Sequence, residues 1–173
     1  MTAITTILSV FLSMAMVAMA NSVAAVLRNN AETHQLLFVA FFILLRLKLY
    51  LDDLDYCNSA ERRSYKFKLE FSAGMLFWFL WISAAAILPV HYMLACILLS
   101  CAILFATLIL FIFNHPKKRS LTLFNILYIV LLICSALLSS SYEALSAIAI
   151  FGASLLVFWD IRKNTSFDIF QKP

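Results

Sequence analysis

The chain has 173 residues, of which 64% are hydrophobic and 13% charged, and its formal net charge at pH 7 is +4. A soluble domain is nearer half apolar and a quarter charged, and a chain of this length cannot enclose so much apolar surface in one core. The composition therefore excludes a soluble enzyme, a nucleic-acid-binding protein and a disordered chain, and it predicts an integral membrane protein.

Membrane spans are helices or closed barrels, because every backbone group in lipid needs an internal hydrogen-bond partner. The apolar runs here are continuous rather than alternating, and the chain has only two glycines and three prolines, so helices are favoured. A helix needs about 20 apolar residues to cross the hydrocarbon. We predict an all-α, polytopic transmembrane helical bundle, a single integral membrane domain over residues 1–173. Its six spans cover approximately residues 4–27, 34–56, 70–88, 91–113, 121–140 and 143–161.

The distribution of basic residues predicts the orientation of these spans. With six spans, both termini and the basic loops 57–69 and 114–120 share one side, and ten of the thirteen Lys and Arg residues fall there. Arg28 alone falls on the other side, and the remaining two lie within the second span. Because basic loops remain cytoplasmic, we expect both termini in the cytoplasm.

The second span is the one place where charges enter the membrane. Only 13 uncharged residues, 33–45, precede Arg46 and Lys48, which is too few to cross the bilayer. We therefore expect either that Arg46, Lys48 or both lie within the cytoplasmic leaflet, or that the bilayer is thinned there. Lys48 lies one helical turn from Asp52, so the two form an i, i+4 pair. Arg46 lies on another face with Tyr50 and Asp53.

Three interpretations of this charged segment are open. The side chains could snorkel and pair locally, which would only fix the depth of the helix. They could line a polar cytoplasmic vestibule in an oligomer and select ions, or they could contact a regulatory partner or phosphate. The predicted vestibule residues are Arg46, Lys48, Tyr50, Asp52, Asp53 and Asp55.

The cytoplasmic loops carry the candidate contacts with lipid headgroups or with a cytosolic partner. Basic juxtamembrane segments attract anionic headgroups, and that role is favoured over docking of a partner. The residues concerned are Arg62, Arg63, Lys66, Lys117, Lys118 and Arg119.

No motif for catalysis, a metal or a cofactor is found in the sequence. The four cysteines, Cys57, Cys96, Cys101 and Cys134, form no CxxC pair, and three of them lie in apolar runs as small packing residues. The acidic run at residues 52–55 differs in spacing from the DDxxD magnesium motif. We therefore predict no catalytic residues, no metal site and no cofactor.

These features together predict a non-enzymatic membrane effector that forms an oligomeric pore or ion-conducting assembly. We expect it in a bacterial inner membrane, as a homo-oligomer surrounded by lipid and controlled by a cytosolic protein or small molecule, without nucleic acid. A bacterial defence or stress system is suggested by analogy of architecture alone. The alternatives are a structural or assembly subunit of a larger membrane complex and, third, a small transporter or lipid-modifying enzyme.

Overall fold

The computed structural model describes residues 3–28, 32–58, 77–113 and 118–164. Over these residues the protein is entirely helical, without strands, and contains six helices. They are α1 (Ala3–Arg28), α2 (Thr33–Asn58), α3 (Phe77–Ile87), α4 (Tyr92–Ile112), α5 (Lys118–Leu138) and α6 (Glu143–Asn164). All except α3 are long and apolar enough to cross a membrane, which supports the prediction of an integral membrane protein.

The five long helices begin and end within three residues of the predicted limits. The predicted span 70–88 is represented by α3, and residues 70–76 of that span lie outside the described residues, as do residues 59–69 of the predicted loop 57–69. Two tight turns separate neighbouring helices where the sequence indicates them. Pro89 lies in the turn that follows α3, where the N–H groups of Val90 and His91 bond to the carbonyl of Ile87. The serine run 139–141 forms the turn between α5 and α6.

Helix α6 lies at the centre of the arrangement, between α2 and α5. Helix α4 packs on α5, and α1 packs on α2. Helix α3 contacts both α1 and α2, because Trp78 stacks near Phe11 and Trp81 lies against Phe42. Aromatic side chains fill much of the space between the helices, and Phe38, Phe41, Phe42 and Trp81 are fully buried.

The outer surface of the bundle is apolar. Large exposed side chains such as Val17, Leu104, Ile126 and Phe151 project from four different helices. Water would not tolerate so extensive an apolar surface on a single chain. Lipid or neighbouring subunits must therefore cover it.

The two ends of the bundle can be distinguished by their contacts. The backbone N–H of Thr33, at the start of α2, bonds to Glu143 at the start of α6, so these two helices run in the same direction. We call this the loop end, since the turns 88–91 and 139–142 also lie there. The C-terminal ends of α2 and α6 lie at the opposite end, together with the start of α5.

A close approach between α1 and α3 provides a test of this packing. Ala85 is fully buried and its carbonyl accepts a hydrogen bond from Ser22, whereas the next residue, Ala86, is exposed. We expect Ala85→Leu to destabilise the protein by about 1–3 kcal/mol through overpacking. Ala86→Leu should change stability by less than about 0.5 kcal/mol. Thermal unfolding of both variants in one detergent measures the difference, and equal shifts would contradict the described packing.

Candidate functional site

Two parallel helices bring opposite charges together inside the bundle. Lys48 lies fifteen residues after Thr33 on α2, and Asp160 lies seventeen residues after Glu143 on α6. At about 1.5 Å per residue, both are about 22–26 Å from the loop end. In a hydrocarbon layer of about 30 Å, that depth lies within the leaflet at the opposite end.

The ammonium group of Lys48 contacts two carboxylates. Its Nζ lies 3.0 Å from Oδ2 of Asp160 on α6 and 2.6 Å from Oδ2 of Asp52 on α2. The hydroxyl of Tyr128 on α5 donates to the same Oδ2 of Asp160 at 2.9 Å. Three helices therefore meet at one carboxylate. We call Lys48, Asp52, Tyr128 and Asp160 the Lys48 cluster.

The two carboxylates differ in their importance for stability. The Asp52 side chain is 24% exposed and lies on the same helix as Lys48. Solvent near Asp52 weakens that pair, and its loss leaves Lys48 still paired with Asp160. Asp160 is fully buried and lies on a different helix. Removing one partner of a buried pair leaves an uncompensated charge, which costs about 3–5 kcal/mol. The 3.0 Å contact with Asp160 therefore contributes more to stability than the 2.6 Å contact with Asp52.

Arg46 faces a different part of the bundle. Its guanidinium carbon lies 2.9 Å from the ring centroid of Trp78 and 5.8 Å from that of Trp81, both on α3. Arg46 is fully buried. Because it is two residues before Lys48 on a helix, the two cations point to different faces. The ion pair of Lys48 with Asp160 links α2 to α6. The cation–π contact of Arg46 with Trp78 links α2 to α3.

The other predicted vestibule residues lie near the same end of α2. The hydroxyl of Tyr50 lies 3.2 Å from that of Ser9 on α1. The i, i+4 pair of Lys48 and Asp52 that the spacing predicts is present. Asp53 and Asp55 lie in the last turns of α2, and their side chains are outside the described part of the chain.

The sequence predicts that Arg46 and Lys48 line a vestibule in an oligomer. In the single chain both side chains are buried, Arg46 against α3 and Lys48 against α6. Trp78 and Asp160 supply these contacts. The vestibule stays a prediction.

The predicted headgroup contacts are only partly described. Arg119, in the first turn of α5, is exposed. Lys118 begins that helix, but its side chain lies outside the described residues, as do Arg62, Arg63, Lys66 and Lys117.

A second polar cluster lies at the loop end. The hydroxyl groups of Tyr92 and Ser135 are 2.6 Å apart, and those of Ser135 and Ser146 are 2.7 Å apart. The ring of His34 lies edge-on to Tyr92 at 4.3 Å, and its Nε2 is 3.1 Å from Glu32. We call His34, Tyr92, Ser135 and Ser146 the Tyr92 cluster.

An apolar layer separates the two clusters. Phe41 lies seven residues from both His34 and Lys48, so the three share one face of α2. Ala153 lies seven residues from both Ser146 and Asp160 on α6. Seven residues correspond to about 10 Å along each helix. The fully buried side chains of this layer are Phe41, Leu132, Ile150 and Ala153.

Asp160 and Tyr128 are the two residues that our interpretation of the sequence missed. Asp160 is the only acidic residue in the apolar segment 144–161, and an isolated ionisable residue in a span indicates a partner elsewhere in the bundle. The spacing of Ser146, Ala153 and Asp160 repeats the polar–apolar–polar spacing of His34, Phe41 and Lys48. That shared spacing is the feature of the sequence that indicates a role for Asp160. Tyr128 has no comparable signal in the sequence, because a tyrosine in an apolar span is common.

Metal-binding side chains do not gather in the described part of the chain. In residues 3–28, 32–58, 77–113 and 118–164, no three His, Cys, Asp or Glu side chains form a group that could hold a metal ion. Cys96, Cys101 and Cys134 are free thiols.

Comparison of the chain with protein-family models, with curated proteins and with solved structures gives no match.

Loss of each of the two carboxylates in the Lys48 cluster should change the free energy of unfolding by a different amount. Asp160→Asn should lower the free energy of unfolding by about 3 kcal/mol, near the lower limit for a broken buried pair because Asp52 remains beside Lys48. Asp52→Asn should cost at most about 1 kcal/mol. Unfolding of the purified variants in one detergent measures both values. A larger loss for Asp52→Asn would contradict the assignment of Asp160 as the principal partner.

Proposed function

We propose that this protein is a non-enzymatic, ion-conducting membrane effector whose path follows the interface of α2, α5 and α6. With both charges in place, the Lys48–Asp160 pair holds that path closed. The observation that carries this proposal is a pair of opposite charges, fully buried inside one chain at membrane depth. Ionisable residues within membranes are rare because of their cost, and they mark ion pathways and proton relays.

The order of polar and apolar residues along the interface supports a gated path. The Tyr92 cluster and the Lys48 cluster lie at opposite ends of α2, α5 and α6, and α4 contributes Tyr92 to the first of them. The layer of Phe41, Leu132, Ile150 and Ala153 lies between them and is fully buried. Hydrophobic constrictions of this kind close channels by excluding water. Separation of α2 from α6 would break the ion pair and widen the layer in one movement.

Further parts of the proposal come from the charge distribution and the apolar surface. The basic residues favour cytoplasmic termini, which places the Lys48 cluster in the cytoplasmic leaflet, where a cytosolic protein or small molecule could control it. We propose a bacterial inner-membrane location and a homo-oligomer in which each subunit contains its own path. A role in defence or stress rests on analogy of architecture.

The second candidate function is a structural subunit of a larger membrane complex. The observation that favours it is the complete pairing of Lys48 with two carboxylates, one of which also accepts a bond from Tyr128. Such a satisfied network can fix the packing of helices without any movement. The two functions predict different ion flux once the network is broken.

Ion flux through reconstituted liposomes distinguishes these candidates. If the pair holds the path closed, Asp160→Asn and Lys48→Gln should each raise flux at least about tenfold, because loss of about 1.4 kcal/mol changes a two-state population tenfold. Asp160→Glu keeps the charge and should keep flux low. Arg28→Gln is the matched control, since Arg28 is an exposed cation at the loop end, far from the pair.

A folded Asp160→Asn protein with no more flux than the Arg28→Gln control would contradict conduction. Reduced stability with unchanged flux would support the structural subunit instead. Circular dichroism and gel filtration of each variant establish that the measured protein is folded.

A further inference from the structure

The ends of α5 and α6 place three cations at one level of the bundle. The hydroxyl groups of Ser135 and Ser146 contact each other at 2.7 Å, and this contact fixes the register of the two antiparallel helices. Arg119 precedes Ser135 by sixteen residues, and Arg162 follows Ser146 by sixteen. With equal rise along both helices, each lies about 24 Å from the serine contact. Lys163 is the next residue along α6.

These cations lie on the outer surface of the bundle. Arg119, Arg162 and Lys163 are all exposed. Asp160 on α6, in contrast, is fully buried, and its carboxylate contacts Lys48.

Aromatic side chains lie beside the cations. The rings of Phe124 and Trp159 meet edge-on at 6.4 Å, and Nζ of Lys163 lies 5.9 Å from the Phe124 ring centroid. Trp159 is 65% exposed. Tryptophan is enriched at the boundary between hydrocarbon and headgroups, so these rings indicate that boundary. The cations then lie at the level of lipid phosphates.

We infer that this α5–α6 patch, formed by Arg119, Arg162, Lys163 and Trp159, binds the headgroup of an anionic phospholipid. The three cations match its negative charge, and the exposed Trp159 ring lies where its acyl chains begin. A soluble phosphate would make no contact with the exposed face of the Trp159 ring, whereas an acyl chain would cover it. This inference rests on the surface patch alone and does not depend on conduction.

Lipid binding by the purified full-length protein tests the inference. Native mass spectrometry in a neutral detergent measures the apparent Kd for phosphatidylglycerol and for phosphatidylcholine. The protein should prefer phosphatidylglycerol. Each basic side chain near a membrane surface contributes about 1 kcal/mol, so Lys163→Gln should weaken that binding about fivefold. The triple variant Arg119→Gln, Arg162→Gln, Lys163→Gln should lose about a hundredfold.

Three controls make the result specific. Arg28→Gln removes an exposed cation from the loop end and should leave the preference unchanged. Higher salt should weaken binding to the native chain through screening, which tests the patch even if the triple variant fails to fold. Inorganic phosphate should not displace the lipid. The inference is wrong if phosphate does so, if salt and Lys163→Gln have no effect, or if Arg28→Gln weakens binding equally.

Discussion

The contact between Lys48 and Asp160 constrains the rest of the structure more than any other interaction. Charges taken out of water cost several kcal/mol each, and only good pairing offsets that cost. In this protein the pair joins the central helix α6 to α2, and Tyr128 adds α5 through the same carboxylate. The rotation of α6 about its axis is thereby fixed. Because Ser146 and Ala153 lie on the same face as Asp160, that rotation also directs them into the three-helix interface.

The interface of α2, α5 and α6 has the properties that the proposed gate requires. It has polar groups at both ends, a fully buried apolar layer between them, and an ion pair whose two partners lie on different helices. Apolar packing alone would hold the helices together without offering a trigger. A buried pair is different, because removal of one partner is far more costly than removal of a surface charge. Under the proposed function, a regulator that separates Lys48 from Asp160 must supply enough binding energy to offset that cost.

Much of the architecture could be predicted from the composition and from the lengths of the apolar runs. The positions of the five long helices depend on these local runs and on the breaks between them at Pro89 and at the serines 139–141. The pairing of Lys48 with Asp52 was predictable too, because it is one turn away on the same helix. The sequence marks Asp160 as an isolated ionisable residue in a span but does not identify it as the partner of Lys48, since it is 112 residues distant and its position depends on how the helices pack. For the same reason, the sequence does not show that Arg46 stacks on Trp78 of α3.

The most direct test of the central claim is the distance between α2 and α6 at the Lys48 level. Leu47 and Phe158 are both exposed and can carry spin labels on introduced cysteines, in a chain whose own cysteines are replaced by serine. Pulsed electron paramagnetic resonance then reports that distance. Dilution with unlabelled protein removes distances between subunits. If the ion pair holds the helices together, the native charges should give one narrow distance, and Asp160→Asn should give a broader and longer distribution. An identical distribution in both proteins would contradict the account.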